Sequence, residues 1–182
     1  MSKLVPKVIL EGTRLTHKTD LAFALNEHPR LVGTRRYRYH SPLISAEWCG
    51  FTNHPWDRGL INFDPDHERD LAMATFRTWA DLFGQLRYYT WIVDRFHVST
   101  QCWQRLNHGL ELDFGWLEEM LLPLGFRIVH CVRRPETFDA ARTERLKVSG
   151  KPEQYDDLQV FIDEQETLRE LINGSRLMAL EV

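Results

Sequence analysis

Residues 7–25 read KVILEGTRLTHKTDLAFAL, and this stretch decides the fold. The apolar run KVILE has turn signals on either side, as expected of a strand buried on both faces. Lys18 and Thr19 then open an amphipathic helix over residues 18–27, closed by NEHP with Pro29 as its stop. Between them, GTRLTHKT follows the layout of a phosphate-binding loop: a glycine, four residues, glycine-lysine, then Ser or Thr. Gly12, Lys18 and Thr19 fit that layout, and His17 stands where the second glycine belongs. A glycine there lets backbone approach a phosphate, whereas an imidazole could crowd it. The competing reading is an ordinary strand-to-helix turn with a solvated lysine.

The rest of the chain continues the strand–helix alternation. RLVGTRRYRY (30–39) suits a second strand, and residues 40–65, rich in Pro, Asn, Gly and Trp, form an excursion without a clear period. Residues 64–89 carry Ala72, Phe76, Trp79, Ala80, Phe83 and Leu86 at helical spacing. YTWIVDRF and FRIVHCV are further strands, helices are expected over 99–110, 112–125, 134–146 and 154–172, and RLMALEV closes the chain as a strand. Such alternation implies βα units and a mostly parallel sheet, whose ligands sit at the carboxyl ends of the strands. That rule points to residues 12–19 and to Asp94-Arg95. A carboxylate at a strand end can organise magnesium or take the proton of an attacking hydroxyl. An arginine beside it can hold an anion, although a strand-end ion pair is the simpler reading of a lone Asp-Arg.

At 182 residues the chain has the size of one domain. A net charge of -3 argues against general nucleic-acid coating, while Arg30, Arg35, Arg36 and Arg38 with Tyr37 and Tyr39 form a local basic, aromatic patch. No apolar run approaches the about 20 residues that span a bilayer, and MSKLVPK has no secretory core. Cys49, Cys102 and Cys131 are odd in number and lack a C-x-x-C pattern, which suits reduced thiols in a cytoplasmic protein. His40, Cys49, His54 and His67 match no zinc spacing.

DRFHVSTQCWQ (94–104) resembles the thymidylate-kinase pattern D-R-[YF]-x-x-S-x-x-A-Y-Q, with Asp94, Arg95, Phe96, Ser99, Trp103 and Gln104 in register. Upstream, ILEGTRLTHKTDLAFAL resembles that family's phosphate loop, and FRIVHCVRRPETFDAARTER its fourth strand and the helix leading to the lid. The resemblance implies an α/β, P-loop kinase-like three-layer fold with a central, mostly parallel five-stranded sheet flanked by helices. It implies one domain over 1–182, an acceptor-side insertion at 38–65, and a lid at 142–156. It further implies transfer of phosphate from ATP, with Mg2+, to a nucleoside- or nucleotide-type acceptor.

Carried over residue by residue, Gly12, Thr13, Arg14, Leu15, Thr16, His17, Lys18 and Thr19 would cradle ATP, and Thr19 and Asp94 would serve magnesium. Lys18, Asp94, Arg95, Arg142 and Arg145 would be catalytic, the last two sharing a helix face in or near the lid. Arg36, Arg38, Trp48, Phe96, Ser99, Trp103 and Gln104 would line the acceptor side. The loop lacks the family's acidic residue, and RRYRYHSP followed by EWCGFTNHPW replaces its glutamate-proline signature, with Glu47 the one acid there before Asp57. Aromatic rings among arginines in 35–63 also suit a larger acceptor, such as a hydroxymethylated base within DNA. The departures equally suit a non-catalytic nucleotide- or nucleic-acid-binding descendant. No membrane partner is expected, and homodimerisation stays open.

Overall fold

The computed structural model describes residues 5–32, 42–52 and 57–182. Five strands build one parallel sheet in the order β2-β3-β1-β4-β5: β1 (Lys7–Glu11), β2 (Leu43–Ser45), β3 (Trp91–Asp94), β4 (Phe126–His130) and β5 (Met178–Glu181). Each step between neighbours is a parallel crossover, which requires helical connections and lets them cover both faces.

The register fixes which side chains meet. Ile9 lies level with Val93 and Ile128, so these residues share one face. That face carries the main core, where Phe63, Phe76, Phe83, Phe96, Phe114, Leu117 and Leu168 are fully buried. Its helices are α3 (Arg69–Gln85), α4 (His97–His108), α5 (Gly115–Leu121) and α7 (Gln159–Gly174). Leu10 and Ile92 point to the other face and pack with Ala22 of α1 (Lys18–Glu27). A short α2 (Pro29–Val32) follows, and α6 (Phe138–Leu146) packs Phe138 against Tyr155 and Phe161. The expected three-layer α/β architecture with a parallel five-stranded sheet is what the chain forms. Among the described residues, no helix is long and apolar enough to cross a membrane.

Two local expectations differ from the observed elements. The second strand is Leu43–Ser45 and not the Arg30–Tyr39 stretch, whose first residues belong to α2 and whose residues 33–39 lie outside the described part. Pro29 does end α1 nearby, but it also supplies the fixed φ that starts α2. Helix α3 begins at Arg69, because Asp64 turns back on itself first, accepting from Asp66 N at 3.0 Å.

Candidate functional site

Strands β1, β3 and β4 end side by side, and their ladders run on into the loops: Arg95 N donates to Leu10 O at 2.9 Å and Cys131 N to Glu11 O at 2.8 Å. Gly12 follows β1 at φ 159°, and a Cβ there would lie 2.6 Å from Cys131 O and 2.9 Å from Thr16 Oγ1. The chain can therefore leave the sheet at this point only with glycine.

The loop then takes two left-handed residues, Leu15 at φ 68° and His17 at φ 58°. Arg133, in the loop after β4, pins the first by donating from Nε to Leu15 O at 2.7 Å. Thr16 Oγ1 donates to Thr13 O at 2.8 Å, and Arg14 hydrogen-bonds Gln154. His17 thus adopts the backbone shape that favours glycine, and its ring reaches outward to Asp20 Oδ2 at 2.8 Å. Its side chain is 62% exposed.

The next turn sets Lys18 and Thr19 against β3. Thr19 Oγ1 donates to Asp94 Oδ2 at 2.9 Å, while Asp94 Oδ1 is buried with no hydrogen-bond partner among the described residues. Lys18 is 6% exposed, and no hydrogen bond or ion pair holds its ammonium among the described residues. Burial, then the charge of Arg95, lowers its pKa, against the pull of Glu47, Asp94 and Glu164. A lysine this deeply set is partly stripped of water, so an anion reaching its ammonium would be well compensated. The first N–H groups of α1 and its dipole favour the same kind of ligand.

Arg95 sits at φ 60°, and its side chain runs between two carboxylates, Glu164 Oε1 at 3.1 Å from Nη1 and Glu47 Oε2 at 3.5 Å from Nε. Burial works to lower its pKa, but the two acids more than offset that and raise it. Glu164, on α7, also accepts a short hydrogen bond from Thr13 Oγ1, tying Arg95 to the loop after β1. For Glu47, burial raises the pKa, yet Arg95, Lys18, Arg14 and Arg145 together bring it below the usual carboxylate range. Ser45 orients it by accepting Glu47 N at 3.2 Å.

Glu11 lies beneath this corner, wholly buried. It accepts Phe96 N at 3.0 Å and a short hydrogen bond from Ser99 Oγ. These bonds satisfy the start of α4, where no N-terminal side chain caps the helix. Burial dominates its titration and raises its pKa despite the hydrogen bonds and the charges of His97 and Arg95.

The structure thus brings Gly12, Thr13, Lys18, Thr19, Asp94, Arg95 and Ser99 together. Phe96 is 0% exposed and stacks on Trp79 with centroids 5.6 Å apart, so it supports the core and touches no open site. Gln104, also fully buried, donates to Phe63 O at 2.9 Å and so fastens the excursion to α4. Trp103 packs against the core edge near His108, and Trp48 is 58% exposed on the turn Ala46–Trp48. Arg142 pairs with Asp139 on its own helix, while Arg145 donates to Tyr155 OH at 3.1 Å and lies close enough to act on Glu47. Arg36 and Arg38 lie outside the described residues.

Sequence motifs do not single out Glu11, Glu164 or Arg133, and they leave Glu47 only as the one acid before Asp57. A signal existed for two of them: Glu11 is an acid closing an apolar strand, and Glu164 shares the helical spacing of Phe161 and Leu168. Burial pushes the Cys131 thiol up to about 11 and raises Cys102 as well, so neither is an activated thiolate. Among the described residues, no group of three or more His, Cys, Asp and Glu is arranged to hold a metal ion.

No protein-family model matches the chain, and no curated protein matches it in sequence. Among solved structures it is similar to the YorR protein of Bacillus subtilis, solved in complex with phosphorylated GDP. The TM-score is 0.59 at 15% identity, over 96% of this chain and 84% of that one. At that identity the likeness concerns the fold alone: an α/β, P-loop kinase-like arrangement with a parallel five-stranded sheet flanked by helices.

Proposed function

We propose that this protein is an ATP- and magnesium-dependent phosphotransferase acting on a nucleoside- or nucleotide-type acceptor. The observation that carries the reading is Lys18, a largely buried lysine with no ion pair among the described residues, beside a Thr19–Asp94 pair whose Asp94 Oδ1 is buried and unsatisfied. A polyphosphate and its divalent cation would supply a partner to each. Magnesium usually takes one or two carboxylates, substrate phosphates and water, so one carboxylate and one hydroxyl are a sufficient protein share. Thr19 and Asp94 would hold it, and it would neutralise charge on the β- and γ-phosphates.

The chain's own contribution is positioning and charge. The loop from Gly12 to Thr19 wraps the phosphates with backbone N–H groups and aims α1 at them. Lys18 balances the β/γ charge, Arg95 steadies the acceptor corner, and Arg145, on the helix leading into residues 142–156, is placed to approach the transferred group as part of a lid. That YorR was solved with phosphorylated GDP supports a nucleotide ligand for a fold of this shape.

The test is transfer of labelled phosphate from ATP in Lys18→Ala and Asp94→Ala. Each should lose at least about a thousandfold in kcat/KM with its thermal unfolding within a few degrees of wild type. Full activity in both would remove the assignment. Tight binding of a non-hydrolysable ATP analogue without transfer to any acceptor would make the protein a nucleotide-binding module.

A further inference from the structure

We infer that Arg133 is a positioning residue for the phosphate loop: its Nε–H holds the peptide between Leu15 and Thr16 in the orientation that receives an anion. The inference rests on the kinase reading and deepens it by naming what sets the loop before nucleotide arrives. Leu15 is left-handed at φ 68° although it is not glycine. Such a residue persists only where its surroundings over-determine it. Two anchors do so here. Its side chain packs against the cluster of Phe138, Tyr155 and Phe161, and its carbonyl oxygen accepts Arg133 Nε at 2.7 Å.

The direction of one carbonyl decides the direction of the next N–H. The described residues contain no cis peptide, and across a trans peptide the C=O and N–H point opposite ways. With Leu15 O turned onto Arg133, the Thr16 N–H is turned away from it. That N–H has no acceptor among the described residues, and neither have those of Arg14, Leu15, His17 and Lys18. Together they form a run of free donors leading into the start of α1, which suits a phosphate chain. A flip of the Leu15–Thr16 peptide would replace one of those donors with a carbonyl oxygen, and an incoming anion would be repelled there.

Arg133 is itself firmly mounted. Its backbone N donates to Gln165 Oε1 at 2.7 Å, and its carbonyl accepts Gln165 Nε2 at 3.0 Å. The buried Gln165 of α7 thus clamps the loop after β4 through both of its peptide groups, and that loop in turn sets the one after β1. The atom that does so is Nε, while Nη1 lies 3.5 Å from both Thr137 O and Thr137 Oγ1. A neutral amide at the same point along the side chain can therefore replace the latch, because what is needed is one N–H and not a charge.

The experiment titrates two variants with magnesium and a non-hydrolysable ATP analogue, and separately with magnesium tripolyphosphate, which has no base for Arg133 to touch. Arg133→Met keeps the side-chain length without a donor and should weaken both ligands by about tenfold or more, the share of loops that leave the receptive orientation. Arg133→Gln carries its amide nitrogen where Nε stands and should recover affinity to within about threefold of wild type. Equal weakening in both variants means that the charge acts directly on the ligand, and overturns the inference. So does wild-type affinity in Arg133→Met, or a loss confined to the ATP analogue. Arg133→Gln decides alone if Arg133→Met does not fold, since a tenfold loss in it overturns the inference. A wild-type protein that binds neither ligand removes the kinase reading itself.

Discussion

The loop after β1 and the charged corner around Arg95 lie at the same carboxyl edge of the sheet, yet they are held by different physics. The loop is a matter of backbone shape: a glycine with no room for a Cβ, two left-handed residues, and carbonyls pinned by Arg133 and Thr16. The Arg95 corner is a matter of charge: its guanidinium lies between Glu47 and Glu164, with Glu11 buried below. Shape tolerates a change of side chain where the side chain points away. Charge tolerates a change of shape but not of ionisation. The two halves should therefore respond to opposite kinds of substitution.

The largest effect is expected from shape. Gly12→Ala places a methyl 2.6 Å from Cys131 O, a backbone atom of the residue whose N–H donates to Glu11 O and extends the β1–β4 ladder, so nothing flexible can give way. Overpacking of this kind at an unfavourable φ should cost about 3 kcal/mol or more in chemical denaturation, with nucleotide binding lost as well. A variant as stable as wild type would remove the contrast, because the loop would then not be shape-limited.

The charge half can be sharpened with two buried glutamates of opposite sign. Glu118, on α5, accepts from His97 Nε2 at 3.1 Å and Arg176 N at 2.8 Å, and also from Ser175 Oγ. Burial opposes ionisation there, but those hydrogen bonds prevail and hold its pKa at about 2. Its folded value lies below the unfolded one, so its contribution is complete above about pH 4.5 and disappears as pH falls towards 2. The contribution is up to about 3 kcal/mol, and Glu118→Gln should forfeit much of it at neutral pH, with the gap to wild type closing in acid. Glu11 works the other way. Its raised pKa means that the folded state is favoured when the carboxyl is protonated, and that this benefit is lost as pH rises from the unfolded value through the folded one. Glu11→Gln, which keeps an amide oxygen for Phe96 N, should match or exceed wild-type stability at neutral pH and converge with it in acid. Urea titrations of both variants from pH 3 to pH 8 check the signs, and like-signed pH dependences would show that the hydrogen bonds to Glu11 outweigh its burial.

The same division explains what was legible in the sequence. The donor loop could be read because shape is written contiguously: Gly12, Lys18 and Thr19 fall within eight residues, between a strand and a helix whose patterns are themselves local. The sheet followed for the same reason, from apolar runs alternating with helical periods. The Arg95 corner is assembled from Glu11, Glu47, Asp94-Arg95 and Glu164, which are neighbours only after folding, and complementary charge has no period along a chain. Phe96 and Gln104 illustrate the converse. They fall in register with a motif read as acceptor-facing, while the α4 geometry turns them into the core and onto the carbonyls of the excursion. The motif records how Asp94 and Arg95 are mounted as much as what they touch.

The smallest effect concerns His17, and it separates shape from contact within the loop itself. A non-glycine residue held left-handed costs about 1–2 kcal/mol, and His17 is in that region at φ 58°. Its ring gives little back, since the hydrogen bond to Asp20 is exposed and worth a few tenths of a kcal/mol. His17→Gly removes the strain but adds freedom to the unfolded chain, about 0.5–1 kcal/mol in the opposite direction. The net expectation is a gain of about 0.5–1 kcal/mol in denaturant unfolding, whereas His17→Ala, which keeps the Cβ, should show no gain. Affinity for a non-hydrolysable ATP analogue should change less than about threefold in either variant, because the imidazole points along α1 towards Asp20 and away from the loop's interior. If His17→Ala tightens that affinity more than tenfold, the ring intrudes on the phosphates after all, and the loop is limited by contact as well as by shape.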